Sequence, residues 1–247
     1  MVERVEREGV PLAYAATPGA GPGVVFLGGF RSDMTGTKAL ALEAWARERG
    51  RAFLRLDYGG HGASGGTFEA GDVATWRDDA LAVIAHATTG PQVLVGSSMG
   101  GWIALLIARD RPDLVAGLVT VAAAPDFTED MWAAMDETQR VALFERGHVL
   151  RPSDYGEPYV ITRHLIEAGR DVLVLDRPLR LSCPVRCLQG TADADVPVSK
   201  AVALLAHAEA ADMELTLVNG ADHRFSDARC LDLVARDVEA VLARAAS

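Results

Sequence analysis

The chain has 247 residues and a formal net charge of −10 at pH 7, and 49% of its residues are hydrophobic. This length and apolar content suit one domain, or one domain with an added cap, and can bury a sizeable core. The acidic balance leaves no visible basic patch, so we predict neither nucleic acid nor anionic membrane as a partner.

The amino terminus and the cysteines indicate where in the cell the protein is expected. The first residues are charged, include acidic side chains and lack an apolar core, unlike a signal or transit peptide. No apolar run reaches the length of a transmembrane helix. Cys183, Cys187 and Cys230 are odd in number, and the first two are too far apart along one strand for a disulfide. We therefore expect a cytoplasmic protein with free thiols.

Strand-like and helix-like stretches alternate along most of the chain, which predicts a mostly parallel sheet flanked by helices, an α/β fold. The first series is a strand at 23–30, a helix at 37–49, strand 52–57, helix 74–87, strand 92–96, helix 99–109 and strand 115–124. A loop at 58–66 carries five glycines. The second series is a strand at 184–190, a helix at 198–209, a strand at 213–218 and a helix at 230–245.

The alternation breaks between residues 125 and 182. This stretch has helical patches, a Pro/Gly/Tyr segment at 152–159 and no long β-branched run. A structureless loop of that length is improbable in a folded domain. The sequence therefore predicts a small, mainly helical cap at 125–182, inserted into a core of residues 1–124 and 183–247.

A candidate nucleophile lies in the motif Gly96-Ser97-Ser98-Met99-Gly100, directly between a predicted strand and a predicted helix. This Gly-x-Ser-x-Gly pattern is typical of a sharp strand-to-helix turn, where glycines two residues before and after the serine avoid a clash. It predicts Ser98 as the nucleophile. The alternative is a helix N-cap serine in a tight turn.

The acid and the base are sought in the order serine, acid, histidine. Asp193 follows the predicted strand at 184–190, so it lies at the carboxyl end of the sheet, where catalytic groups gather. Asp195 is the alternative acid, although its place before Val196-Pro197 is typical of a turn. His223 is the one histidine that follows the acid in a loop after a strand, whereas His61 lies in the glycine-rich loop. No zinc-ligand spacing is present, and neither metal nor cofactor is predicted.

Two backbone N–H groups are expected to bind the charged oxygen of a tetrahedral intermediate. We predict the N–H of Met99, the residue after the nucleophile, and that of Phe30, after the first strand. Gly28-Gly29 allows close backbone approach, or else simply ends the strand. The candidate substrate pocket is Gly29, Arg31, Trp102 and Trp132. Trp102 could equally be core, and the Met131, Trp132, Met135 and Phe144 stripe is more often packing than ligand contact.

These residues stand in stretches that resemble one subgroup of the α/β-hydrolase superfamily, the mammalian mitochondrial α/β-hydrolase domain-containing protein ten and its bacterial relatives. The stretches are SDMTGTKALALEA (32–44), FLRLDYGGHGASG (53–65), WRDD (76–79), GPQVLVGSSMGGW (90–102) and CPVR (183–186). The resemblance covers most of residues 23–240 and is poorest in the cap. It implies an α/β-hydrolase fold and an esterase or thioesterase, S-depalmitoylating or acyl-glucuronide-cleaving, with Ser98, Asp193 and His223 at the triad positions.

The chain departs from this pattern in two places. It shows no transit peptide, and Gly28-Gly29 stands where many hydrolases have His-Gly. The predicted function is hydrolysis of a small-molecule ester or thioester, or of an S-acylated protein, through an acyl-Ser98 intermediate. The alternatives are a C–C bond hydrolase, a serine peptidase, or a ligand receptor built on the same scaffold. A monomer or homodimer is expected.

Overall fold

Twelve strands lie within residues 1–151 and 158–245, the part of the chain that the computed structural model describes. They are β1 (Glu3–Arg7), β2 (Val10–Thr17), β3 (Ala20–Leu27), β4 (Arg51–Leu56), β5 (Gln92–Ser97), β6 (Val115–Val121), β7 (His148–Arg151), β8 (Tyr159–Thr162), β9 (Leu179–Leu181), β10 (Val185–Gly190), β11 (Ala208–Ala210) and β12 (Met213–Val218). Eight of these strands form one sheet in the order β1-β2-β4-β3-β5-β6-β10-β12.

The same described residues contain eight helices. They are α1 (Thr37–Glu48), α2 (Val73–Ala87), α3 (Met99–Asp110), α4 (Phe127–Ala134), α5 (Glu137–Arg146), α6 (Arg163–Asp171), α7 (Val198–His207) and α8 (Ala228–Ala245). The mostly parallel sheet predicted from the alternation of strands and helices is confirmed. Neighbouring strands pair in parallel along the part of the large sheet with the order β4-β3-β5-β6-β10-β12.

The sheet separates two apolar cores. Helices α1 and α8 cover one face, where Trp45 and Val238 are buried against β5 and β6. Helices α2 and α3 cover the other face, with Trp76 and Trp102 fully buried. A strand enclosed on both faces reads as a continuous apolar run, and every residue of β5 is buried. This explains why the central strands were readable from the sequence.

The edge made by β1 and β2 was not predicted. These strands pair antiparallel with each other, and β2 pairs antiparallel with β4. Strand β1 has the sequence ERVER, which is largely exposed and charged, and β2 contains Pro11 and several alanines. Such residues have low β-propensity, so pairing with β4 decides the conformation here.

The stretch 125–182 is less purely helical than its sequence indicates. It contains α4, α5 and α6, but also an antiparallel pair, β7 and β8, and the short strand β9. Strand β9 pairs with β11, whose residues the sequence analysis placed at the end of the helix 198–209. Residues 152–157, most of the predicted Pro/Gly/Tyr segment, lie outside the described part of the chain.

Asp126 joins the two ends of this stretch. Its backbone is left-handed, with φ of 58°, and its side chain is buried just after β6. One carboxylate oxygen accepts the N–H of Val174 and the other that of Leu175, both at 2.9 Å. One side chain therefore fixes the exit of the stretch against its entrance.

Across the described ranges, 1–151 and 158–245, no helix is both long and apolar enough to span a bilayer. The three cysteines are buried free thiols, as predicted.

We predict that Asp126→Ala lowers the free energy of unfolding by about 2–4 kcal/mol, because two backbone N–H groups lose their acceptors. Chemical denaturation followed by circular dichroism measures the change. Glu129→Ala is the matched control, since Glu129 only pairs with Arg170 at the surface, and it costs less than about 1 kcal/mol. Equal effects of the two variants would contradict the role given to Asp126.

Candidate active site

Three side chains from three strand ends meet above the carboxyl edge of the sheet. Ser98 follows β5, Asp193 lies in the loop after β10, and His223 lies in the loop after β12. Loops at the carboxyl ends of parallel strands open to the same side, so residues far apart in the chain converge there. The structure brings together all three residues predicted as the catalytic set.

These side chains form a continuous hydrogen-bonded line. Ser98 Oγ lies 3.1 Å from His223 Nε2, and His223 Nδ1 lies 2.9 and 3.1 Å from the two carboxylate oxygens of Asp193. A carboxylate only accepts hydrogen bonds, so the proton of a neutral His223 is held on Nδ1. Nε2 is then free to accept the Ser98 hydroxyl proton, which is the geometry of an activated nucleophile.

The backbone of Ser98 is strained, with φ of 55° and ψ of −119°. The neighbouring glycines make this turn possible. A Cβ on Gly96 would overlap the carbonyl of Gly100, and one on Gly100 would overlap the carbonyl of Leu27. Although Ser98 occupies the N-cap position of α3, its side chain makes no capping hydrogen bond. The hydroxyl is instead paired with His223, which removes the simple N-cap interpretation.

Asp193 is enclosed by donors. Its side chain is fully buried, and it accepts the N–H groups of Val196 (2.8 Å) and Asp195 (2.9 Å) and the side-chain amide of Gln189 (3.0 Å). Burial alone would raise the pKa of Asp193, but the hydrogen bonds from His223, Val196 and Gln189 lower it below its usual value. The carboxylate is therefore charged at neutral pH. Sequence reasoning missed Gln189, whose signal was a polar residue inside an apolar strand.

Asp195, the alternative acid, is exposed, and its backbone N–H donates a hydrogen bond to Asp193. Its carboxylate still lies near the site: one ligand atom each from Asp193, Asp195 and His223 fall within 4.8 Å of one another. The Nδ1–H of His223 donates to the two carboxylate oxygens of Asp193. Asp222, next to the histidine, accepts the N–H of Phe225.

Comparisons with known proteins identify the family. Residues 23–164 match the family model described as "Serine aminopeptidase, S33". The mitochondrial palmitoyl-protein thioesterase ABHD10 of Bos taurus is 35% identical over 230 residues, which are 92% of this chain and 75% of that protein. The chain belongs to the α/β-hydrolase family. It is therefore a hydrolase.

Solved structures of the family extend the likeness to the whole chain. A structure from Agrobacterium vitis S4 has a TM-score of 0.93 and 39% identity, covering 98% of each chain. Mouse α/β-hydrolase domain-containing protein 10 has a TM-score of 0.91 and 30% identity, also covering 98% of each chain. The predicted α/β-hydrolase fold is confirmed.

An oxyanion hole needs two backbone N–H groups beside the nucleophile, and the sequence predicts those of Met99 and Phe30. Met99 is the first residue of α3, and Phe30 lies in the loop that follows β3. No described residue accepts a hydrogen bond from either N–H. Gly29 brings this loop against the nucleophile, since a Cβ there would lie 3.3 Å from Ser98 Cβ.

The ring of half-buried Phe30 is surrounded by aromatic side chains. Its centroid lies 4.8 Å from that of Phe68, 5.6 Å from Phe127, 5.7 Å from Tyr159 and 6.0 Å from Trp76, all edge to face. Phe127 and Tyr159 belong to the 125–182 stretch and the other two to the core. Sequence reasoning did not identify this cluster, because its five members lie in five separate segments.

The remaining candidate pocket residues have different surroundings. Trp102 is fully buried, and its indole N–H donates to the carbonyl of Val172, so it is a core residue here. Trp132 is half-buried, packs edge to face on Phe144 and is flanked by arginines of the same stretch. Arg31 is exposed beside Phe30, with its guanidinium 4.8 Å from the Phe68 ring centroid.

Two further basic residues, His61 and Lys38, lie near the site. His61 is buried, which lowers its pKa to about 4, so the ring is neutral and packs between Tyr58 and Trp76. Lys38 of α1 donates a hydrogen bond to the carbonyl of Arg224, the residue after His223. Burial lowers the pKa of Lys38 to about 8.

We predict that Asp193→Asn reduces kcat at least about a hundredfold, because an amide can favour the wrong imidazole tautomer. Asp195→Asn is the matched control and stays within about threefold, since it keeps the backbone N–H that donates to Asp193. Steady-state hydrolysis of a p-nitrophenyl ester measures both. A larger loss in Asp195→Asn would make Asp195 the functional acid.

Proposed function

We propose that the chain is a serine hydrolase that cleaves carboxylic esters or thioesters through an acyl-Ser98 intermediate. The observation that carries the proposal is the hydrogen-bonded line from Ser98 Oγ through His223 to the buried carboxylate of Asp193. Ser98 is the nucleophile, His223 the general base and then the general acid. Asp193 holds the imidazole in its reactive tautomer and stabilises the imidazolium.

In the first half-reaction, His223 Nε2 takes the Ser98 proton as Oγ bonds to the substrate carbonyl carbon. The carbonyl π electrons move onto oxygen, and the N–H groups of Phe30 and Met99 bind the resulting negative charge. When the intermediate collapses, the C–O or C–S bond breaks. His223 then returns the proton to the departing alcohol or thiol, which leaves Ser98 acylated.

The second half-reaction repeats the same steps with water. His223 accepts a proton from water as the water oxygen attacks the acyl carbon, and the charge again forms on the oxygen held by the two N–H groups. Collapse breaks the bond to Ser98 Oγ, and the proton returns to the serine. One arrangement therefore serves both leaving groups, because His223 can protonate a departing alcohol or thiol and the acyl-Ser98 intermediate is the same in either case.

For the stretch 125–182 we propose the role of a cap on the core formed by 1–124 and 183–247. Phe127 and Tyr159 of this stretch pack on the ring of Phe30, beside the proposed oxyanion hole. An apolar acyl group beside Ser98 would meet these rings. The curated relatives are named palmitoyl-protein thioesterases, which fits a thioester with an apolar acyl group, free or on a protein.

The cellular location, the oligomeric state and the lack of a cofactor requirement are predictions. A cytoplasmic location stays a prediction, and the relative from Bos taurus is named mitochondrial. We retain a monomer or homodimer, without nucleic acid as a partner. A metal is not part of the proposed reaction, so dialysis against EDTA is expected to leave hydrolysis unchanged.

Ser98→Ala is expected to lower ester turnover by about 10⁶-fold while the fold is kept, since loss of the nucleophile removes the covalent route. Wild-type protein should react with a fluorophosphonate probe and the variant should not. Ser97→Ala is the matched control, because it changes the adjacent hydroxyl and leaves the hydrogen bond to His223 in place. A folded wild type that fails to label would favour the non-catalytic receptor alternative.

A series of matched oxygen esters and thioesters tests the substrate class. We expect kcat/KM to rise about threefold to fourfold per added methylene until the apolar site is filled, because each buried methylene contributes about 0.8 kcal/mol. Aminoacyl p-nitroanilides and a vinylogous 1,5-diketone are the comparison substrates. Faster turnover of either would select the peptidase or the C–C bond hydrolase.

A further inference from the structure

The loop between β3 and α1 carries the Phe30 N–H that the proposed function needs. A hydrogen-bond donor in an oxyanion hole is effective only when its position is fixed before the charge develops. Within this loop, the Ser32 N–H donates to the Gly29 carbonyl at 3.1 Å, which forms a turn around Phe30. Two residues further on, Met34 is buried and links this turn to the core.

Both polar groups of the Met34 backbone are held by charged side chains from the end of β4. The N–H of Met34 donates to Asp57 Oδ1 at 2.6 Å, and its carbonyl accepts from Arg55 Nη1 at 3.1 Å. Asp57 is 2% exposed. Charged partners strengthen hydrogen bonds, so this backbone position is fixed from both sides.

Asp57 also organises the glycine-rich loop on its other side. Its second oxygen, Oδ2, accepts the Ala63 N–H at 2.8 Å, and its backbone carbonyl accepts the Ser64 hydroxyl at 2.6 Å. A Cβ on Gly62, where φ is 47°, would overlap the Asp57 carboxylate. The glycine-rich loop is therefore shaped around this carboxylate, which connects it to the loop of Phe30.

Arg55 is anchored in turn by Glu43 of α1. The guanidinium lies 3.1 Å from Glu43 Oε2, and the other oxygen of Glu43 accepts the Thr17 hydroxyl at 3.0 Å. Glu43 is 4% exposed. A buried ion pair is a weak source of stability, but it fixes geometry when every polar atom has a partner.

A comparison with Asp79 separates this role from ordinary loop support. Asp79 is as buried as Asp57, and it too accepts an N–H from the glycine-rich loop, that of Gly59, at 2.9 Å. Its other partner is Arg7, on β1. Asp79 therefore supports the same loop without a hydrogen bond to the loop of Phe30.

From these contacts we infer that Asp57, together with Arg55, is a positioning residue for the oxyanion hole. Asp57 and Arg55 fix the Met34 backbone and, through the turn at 29–32, the place of the Phe30 N–H beside Ser98. This inference rests on the proposed function, since it concerns the transition state of acyl transfer at Ser98.

Asp57→Ala tests the inference, with Asp79→Ala as the matched control. In Asp57→Ala we expect kcat for a p-nitrophenyl ester to fall about 10- to 100-fold with KM within about twofold, less than complete loss of one oxyanion donor. Affinity for an alkyl trifluoromethyl ketone, whose carbonyl oxygen becomes a bound oxyanion after Ser98 adds, should fall by the same factor. Asp79→Ala should lower the melting temperature while kcat and ketone affinity stay within about twofold.

A second variant covers the case in which Asp57→Ala does not fold. Glu43→Gln with Arg55→Met removes the donor to the Met34 carbonyl without leaving Glu43 charged and unpaired, and it should lower kcat and ketone affinity together. Unchanged kcat in whichever variant folds, or an equal loss in Asp79→Ala, overturns the inference. Ser98→Ala is run alongside. If it still hydrolyses the ester, the proposed function itself fails, whatever Asp57 does.

Discussion

The close approach of α3 to the ends of β3 and β5 is the constraint on which the site depends. Gly100 lies against the Leu27 carbonyl and Gly96 against Gly100, so any side chain at either glycine would push the helix away. The approach forces Ser98 into a left-handed conformation that costs about 1–3 kcal/mol. Ten of the twelve residues of α3 are buried, and this apolar burial offsets the strain. The serine is thus held above the sheet edge by the core beneath it.

Buried carboxylates accept hydrogen bonds from the loops around that point. Burial raises the pKa values of Asp57, Asp79 and Asp126, which mainly accept backbone N–H groups. Asp193 is also buried, but its bond to His223 helps to lower its pKa. The first three hold the backbone in place, whereas Asp193 keeps a charge available to the imidazole.

The sequence predicted the parts of the molecule that local chemistry determines. Apolar strands such as β5, the glycines around Ser98 and the loop positions of Asp193 and His223 all leave periodic or motif signals. Strand β1 leaves none, because pairing with β2 rather than its charged composition makes it extended, and β7 and β8 are only four residues long each. The hydrogen bond that the Met34 N–H donates to Asp57 could not be predicted from the sequence either. Its donor is a backbone N–H, a group that every residue except proline has. The burial of Trp102 could not be predicted either, because it depends on how α3 packs against the 125–182 stretch.

Asp126 has a consequence for how this architecture can diversify. By tying the entrance of the 125–182 stretch to its exit, the carboxylate closes that stretch into a loop whose base is part of the core. The entropy of closing a loop grows only logarithmically with length, so doubling the enclosed chain costs about 0.6 kcal/mol. We expect insertions and deletions between residues 127 and 173 to leave β6 and β10 in register. On that basis the stretch can evolve as an exchangeable module while the residues at the carboxyl edge of the sheet are preserved.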